Sequence, residues 1–483
     1  MQYSEEFNIK KEQERNIENT LKMSEIVASS PIVRELNIAV IGGVDCGKST
    51  LLSVLKNGDL DDGKGLARSK IVKYKHEFET GRTSAITQHY VPITESKICC
   101  FIDLCGHEQY LHTTLHGMCG FYVDFAIIVV GGNLSITEMT KEHMNTCLSL
   151  NIPFMVVITK IDSSPPHVLA KTKEVILELL SQKVKGRNVI WMKEGMEEVR
   201  QLQKNIPIFC VSNKTGESID LLRSFIFGLP IRKVNQMEEG ASEGGVLFSI
   251  DAYFQVKGVG PVVSGKLLKG KLSKNDKLMI GPLQGQFFSV TARSFHDNFK
   301  NGIDGMECGM SGCVGLKVMD KNVEIKNIRH RKGSYLMTPR SLKEWSSGTD
   351  EEMRKSMAYY EFEADVIVIG SHSTQISLNY QPVINCKKIV QCARILEIDD
   401  REYIRPGEMS KILFRFVYRP EFLQIGDRFI FREGTTRGVG IIRKLIEYEK
   451  TEEENAKTMA IMMKFKSHHM NKKGDKYGTA EKE

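Results

Sequence analysis

Apolar runs separated by helical patterns fill the first half of the chain, and short apolar runs alone fill the second. The runs at 36–41, 98–102, 125–130, 154–158 and 206–211 are short enough to be strands, and they are apolar throughout rather than alternating. Strands of that kind are covered on both faces, which predicts a mostly parallel sheet with helices on both sides. Helical spacing at 50–55 and 168–180 supplies such helices, the second opened by the turn Ser163-Ser164-Pro165-Pro166. The stretch between Asp162 and Asn205 reads as an insertion longer than a compact domain of this type needs. After Gln236-Met237-Glu238-Glu239-Gly240 the pattern changes to short β runs between Gly and Asn/Asp turns, clearest at 246–250, 260–264, 276–280 and 313–318. A polar connector at 341–357 precedes a second β module with runs at 362–369, 383–384, 393–395, 411–417, 429–432 and 438–442.

The expected architecture is an α/β domain over residues 35–233, then two all-β barrel domains over 241–340 and 358–448. A charged extension at 1–34 and a charged tail at 449–483 flank them. The extension could form one amphipathic helix through Leu21, Ile26 and Val27; the tail has too few apolar residues to order itself.

Chemistry enters where the apolar runs end. Gly42-Gly43-Val44-Asp45-Cys46-Gly47-Lys48-Ser49, followed by Thr50, fits G-x-x-x-x-G-K-[ST] between a strand and a helix. Glycines there let successive N–H groups turn toward phosphate oxygens, and the helix N-terminus adds its positive end. Lys48 would reach the outer phosphates of a nucleoside triphosphate and Ser49 would hold Mg²⁺. Asp103, ending the next run in Asp103-Leu104-Cys105-Gly106, stands where a carboxylate reaches that ion through water, and Gly106 leaves room for a backbone N–H near the γ-phosphate. Thr159-Lys160-Ile161-Asp162 ends a further run. A carboxylate at Asp162 can accept both N1–H and N2–H₂ of guanine, a donor pair that adenine lacks, which points to GTP and GDP. Ser212-Asn213-Lys214 closes the last run, where a backbone N–H can meet the guanine oxygen. His107, His112 and His116 recur at near-helical spacing, but the first follows D-x-x-G directly and fits a helix start better than a metal site.

In this order the motifs resemble those of translational GTPases of the elongation factor Tu and elongation factor 1-alpha superfamily. Lys75-His76-Glu77, Glu79, Gly81-Arg82-Thr83-Ser84, Gly106-His107 and Arg432-Glu433-Gly434 are most similar to the eukaryotic GTP-binding protein 1 and 2 branch. The resemblance implies a GTP-hydrolysing switch, slow unless a partner stimulates it, that works with ribosomes or aminoacyl-tRNA. An alternative is a GTP-dependent adaptor in ribosome surveillance or mRNA decay with little hydrolysis of its own. It also implies that Thr83 is the first-switch residue that joins Ser49 and Asp103 at Mg²⁺, and that His107 orients the attacking water. Three positions depart from the pattern. Thr159 replaces an Asn that ties the base pocket to the phosphate loop, so weaker or faster-exchanging nucleotide is expected. Cys46 stands where His is frequent, and Arg82 leaves a hydrophobic gate with Val44 half missing.

Charge narrows the partners only a little. With 67 basic and 60 acidic residues the chain carries +7, so RNA contact has to come from local patches. Lys266, Lys269, Lys271 and Lys274 in the first barrel are one such patch, or else edge-blunting lysines. Arg415, Arg419, Arg432 and Arg437 in the second either meet phosphates or pair internally, with Glu421 and Glu433 at hand. Eleven cysteines without C-x-x-C pairs read as reduced thiols. No apolar segment approaches the roughly 20 residues of a membrane span, and the N-terminus is polar. The expectation is a cytoplasmic monomer away from membranes.

Overall fold

Each expected α/β run becomes a strand of one seven-stranded sheet. In the computed structural model, which describes residues 34–72, 77, 83–134, 136–184, 186–193, 202, 204–231, 245–283, 285–318, 333–338, 358–369, 375–399, 401–433 and 436–448, β1 (Arg34–Gly42) is followed by α1 (Lys48–Asn57), α2 (Leu66–Ser69), β2 (Thr87–Thr94), β3 (Lys97–Asp103), α3 (Leu111–Gly120), β4 (Phe125–Gly131), α4 (Glu138–Ser149), β5 (Phe154–Thr159), α5 (Pro166–Lys183), β6 (Asn188–Trp191), β7 (Asn205–Cys210) and α6 (Ile219–Phe227). The sheet order is β2-β3-β1-β4-β5-β7-β6, parallel except for the antiparallel β2–β3 pair. Both faces are covered. Leu36, Ile38 and Val40 pack with Leu51, Val54 and Phe225 on one side, while Ala39 and Ile41 join Met118, Met144 and Ile176 on the other. Sequence reading missed β2, whose Thr, Gln, His and Tyr residues hide it. It is an edge strand, so Pro92 sits there without breaking an inner ladder. The stretch after Asp162 supplies the expected helix as α5 and, unforeseen, the opposite edge strand β6. Pro166 is the first residue of α5, as the turn predicted.

The chain forms two compact units, one with the α/β domain and the first barrel, the other with the second barrel. In the first barrel, strands Leu247–Val256, Gly260–Lys269, Lys277–Leu283, Gln286–His296, Ser311–Val318 and Tyr335–Met337 close by pairing Lys277–Leu283 with Gln286–His296. The strand Gln286–His296 was not foreseen, because polar residues interrupt it. The second barrel closes six strands around Phe362, which stacks on Phe414, and the adjoining rings of Phe429 and Phe431.

Inside the first unit, β1 joins the barrel through Glu35, which is 4% exposed. Its carboxylate accepts from Asn298 Nδ2 and Ser311 Oγ and lies 3.9 Å from Lys266 Nζ. Lys266 is therefore not a surface lysine, and Lys271 pairs with Glu307 at 3.1 Å. In the second barrel Arg415 donates to Glu361 and stacks on Tyr448, and Arg419 donates to Glu421 at 2.8 Å. Internal pairing thus claims these two arginines. The described residues contain no helix long and apolar enough to cross a membrane. Residues 1–33 of the extension, the connector at 341–357, the tail, Lys75, His76, Glu79, Gly81, Arg82 and Gly434 lie outside the described residues.

Candidate nucleotide site

A cavity of about 540 Å³ opens at the C-terminal ends of β1, β3, β5 and β7. That is the size of a pocket for a small ligand, at the crevice where parallel sheets bind them. Val44, Asp45, Gly47, Lys48, Ser49 and Thr50 form its floor; Thr83, Gly106 and His107 line it, as do Lys160, Asp162, Asn213 and Lys214. The motifs read separately along the sequence therefore meet in one place.

The floor turns sharply between β1 and α1. Asp45 (φ 58°) and Gly47 (φ 85°) both adopt the left-handed conformation. Lys48 is 7% exposed, and its ammonium donates to Gly43 O at 2.6 Å. Gly106 packs against this lysine so closely that an added Cβ would lie 2.3 Å from Lys48 Nζ, 2.7 Å from Gly42 O and 2.8 Å from Gly43 O. Only glycine lets the turn after Asp103 approach the loop. Cys46 is turned away from the cavity, its buried thiol donating to Gly43 O at 3.1 Å, so this position contributes backbone alone.

Three oxygen-bearing residues converge beside Lys48. Ser49 Oγ donates to Asp103 Oδ2 at 2.8 Å and lies 3.2 Å from Thr83 Oγ1. Asp103 is 3% exposed and its Oδ1 has no partner. Burial pushes its pKa up, opposed by the Lys48 charge and the Ser49 hydrogen bond. A buried carboxylate oxygen left unpaired next to two hydroxyls is a hard-donor set that suits Mg²⁺.

The residues that follow Thr83 are held by one to which the sequence reading gave no role. Glu77, 3% exposed, accepts on Oε1 from Ser84 N (2.7 Å), Ser84 Oγ (2.9 Å) and Ala85 N (3.2 Å). Arg68 Nη2 donates to Glu77 O at 3.2 Å, linking this latch to α2. The segment before α2 was missed too. Asp61, Gly63, Lys64 and Gly65 line the cavity, and Asp61 N donates to Asn213 O at 2.8 Å. The Asp-Asp-Gly-Lys-Gly run could have marked it as a built turn, since Asp61 and Asp62 carboxylates accept from Gly63, Lys64, Leu66 and Ala67 N–H groups.

His107 caps a short 3₁₀ turn, its Nδ1 accepting from Gln109 N at 3.2 Å. The neutral ring then carries its proton on Nε2, which leaves that nitrogen as a donor. On the base side, Asp162 Oδ1 accepts from Ser212 Oγ at 2.7 Å, and the same hydroxyl accepts from Lys214 N and Thr215 N. The Lys214 N–H is thereby engaged within the loop. Thr159, fully buried behind the wall, donates through Oγ1 to Cys46 O at 2.6 Å. This hydroxyl links the end of β5 to the phosphate loop.

A family model described as the elongation factor Tu GTP binding domain matches residues 33–233. GTP-binding protein 1 of Xenopus laevis is 38% identical over 445 residues, which cover 86% of this chain and 64% of that protein. GTP-binding protein 2 of Homo sapiens is 30% identical over 433 residues, covering 84% of this chain and 68% of that protein. Among solved structures, translation elongation factor SelB from Methanococcus maripaludis in complex with the GTP analogue GPPNHP has a TM-score of 0.58 at 20% identity, over 88% of this chain and 81% of that one. The S. cerevisiae Ski7 GTPase-like domain bound to GTP has a TM-score of 0.63 at 15% identity, over 87% of this chain and 98% of that one. At these identities the structural likeness speaks for the fold.

Proposed function

Because the chain belongs to the translational GTPase superfamily, we propose that it is a GTP-binding and GTP-hydrolysing switch that acts with ribosomes or aminoacyl-tRNA. The observation that carries this reading is the convergence of Ser49, Thr83 and Asp103 beside a phosphate loop against which Gly106 is packed. Backbone N–H groups of the loop would face the phosphates, and Lys48 would exchange Gly43 O for phosphate oxygens. Ser49, Thr83 and Asp103 would hold Mg²⁺, which when bound neutralises charge on the phosphates. Asp162 would select guanine through its N1–H and N2–H₂. His107, donating from Nε2, would orient a water oxygen for in-line attack on the γ-phosphorus; as the new O–P bond forms, the P–O bond to the leaving GDP breaks and the water's proton passes to the released phosphate. Phosphoryl transfer needs positioning and charge stabilisation more than covalent help, so an oriented imidazole suffices.

The test is GTP hydrolysis at saturating GTP and fixed Mg²⁺, with and without ribosomes. Stimulation that His107→Ala abolishes while GDP binding persists, together with loss of binding in Lys48→Ala, is the expected result. Absence of stimulation in the wild type would overturn the ribosomal part of the reading and favour the adaptor.

A further inference from the structure

Thr159 makes the structural tie to the phosphate loop, and in doing so it uses up its one polar group. The hydroxyl is fully buried and committed to Cys46 O, so nothing on this side chain can donate into the cavity. Asn213 stands beside it. A Cβ built on Gly47 would lie 3.4 Å from Thr159 Oγ1 and 3.7 Å from Asn213 Nδ2, so the two side chains meet over the same glycine. Asn213 lines the cavity, is 8% exposed, and has a buried Oδ1 with no partner. Its backbone is fixed by the bond from Asp61 N to its carbonyl, and its neighbour Ser212 grips Asp162. The unpaired atom is an acceptor, but a half-turn of the carboxamide exchanges its oxygen and nitrogen, so on this fixed backbone the group can present its NH₂ to a ligand.

The chemistry of guanine says which atom it meets. N7 is an acceptor on the imidazole ring, the ring that also carries the sugar and, through it, the phosphates. With the phosphates on the loop and the N1/N2 edge on Asp162, N7 lies between them, over the Gly47 corner. We propose that the Asn213 side-chain amide donates to N7 of the bound guanine, so that two residues from different strand ends share the work: Thr159 braces the loop and Asn213 reads the base. This inference rests on the guanine-nucleotide reading above.

The experiment is competition of GDP and 7-deaza-GDP, in which N7 is replaced by CH, against a fluorescent GDP in the wild type, Asn213→Ala and Thr159→Ala. One neutral hydrogen bond predicts a wild-type preference for GDP of about fivefold to tenfold. Asn213→Ala should bring the ratio to about one, whereas Thr159→Ala should weaken both nucleotides and keep the ratio, because it loses the brace and not the contact. Each ratio is taken within one variant, so a general loss of affinity does not mimic the effect. A wild type with no preference, or Asn213→Ala that retains the full preference, overturns the assignment. A wild type that binds no guanine nucleotide overturns the reading beneath it and the assignment together.

Discussion

Glu77 offers the sharpest perturbation of the switch. Its Oε1 collects three donors from Ser84 and Ala85, the residues that follow Thr83, and it does so while nearly excluded from water. Replacing it with alanine strands two backbone N–H groups that faced a carboxylate. Hydrogen bonds to a charged acceptor contribute at least ~1.5 kcal/mol each, so the ordered form of this segment should lose about 3 kcal/mol, roughly a hundredfold in population. Glu77→Gln keeps an acceptor without the charge and should lose only about 1 kcal/mol, near fivefold. In the proposed function Thr83 serves the γ-phosphate and Mg²⁺, so the loss should fall on the triphosphate alone. Calorimetric titration with a non-hydrolysable GTP analogue and with GDP, for wild type, Glu77→Gln and Glu77→Ala, reads this directly. The analogue should weaken in the order wild type, Gln, Ala, while GDP changes by less than about threefold. Equal weakening of both nucleotides would show that Glu77 only supports the fold, and no weakening of either would show that Thr83 is placed by something else.

Gly106→Ala puts a methyl group against two fixed carbonyl oxygens as well as a movable ammonium. Overpacking of this kind costs about 1–3 kcal/mol, so the non-hydrolysable analogue should bind about tenfold or more weaker, with GDP little affected, in the same titration. His143, buried in α4 with neither ring nitrogen partnered, has its pKa lowered to about 3 by burial and then by the Lys48 charge. The unfolded chain takes up a proton below about pH 6.5 and the folded chain does not, so stability present above that pH is lost as pH falls toward 3, at about 1.4 kcal/mol per unit. Urea unfolding at pH 7 and pH 5 should show about 2 kcal/mol of this loss in the wild type and not in His143→Leu.

The reach of the sequence follows from where information is local. Each phosphate or base motif ends an apolar run, and parallel strands carry their ends to one crevice, so the positions of Lys48, Asp103 and Asp162 could be placed from pattern alone. The barrels were legible for a similar reason, since Gly and Asn/Asp turns punctuate them. The bond from Thr159 to the phosphate loop was not legible because it depends on the height of the Cys46 carbonyl, which no motif encodes. Asn213 was legible only through its place in Ser212-Asn213-Lys214, and the side-chain roles of Asn213 and Glu77 gave no signal, because they depend on how the loops around them fold. Lys266 and Arg415 looked like surface charge because their carboxylate partners, Glu35 and Glu361, are distant along the chain.

β1 has a further consequence through its two ends. At one end Glu35 is gripped by the first barrel, and at the other Gly42 enters the phosphate loop, the strand between them paired with β3 and then also with β4. There is no compliant loop along that path. A twist of the barrel would therefore be passed along β1 to the phosphate loop as through a stiff shaft, so that a grip on the barrel would be felt at the loop without any contact in the cavity.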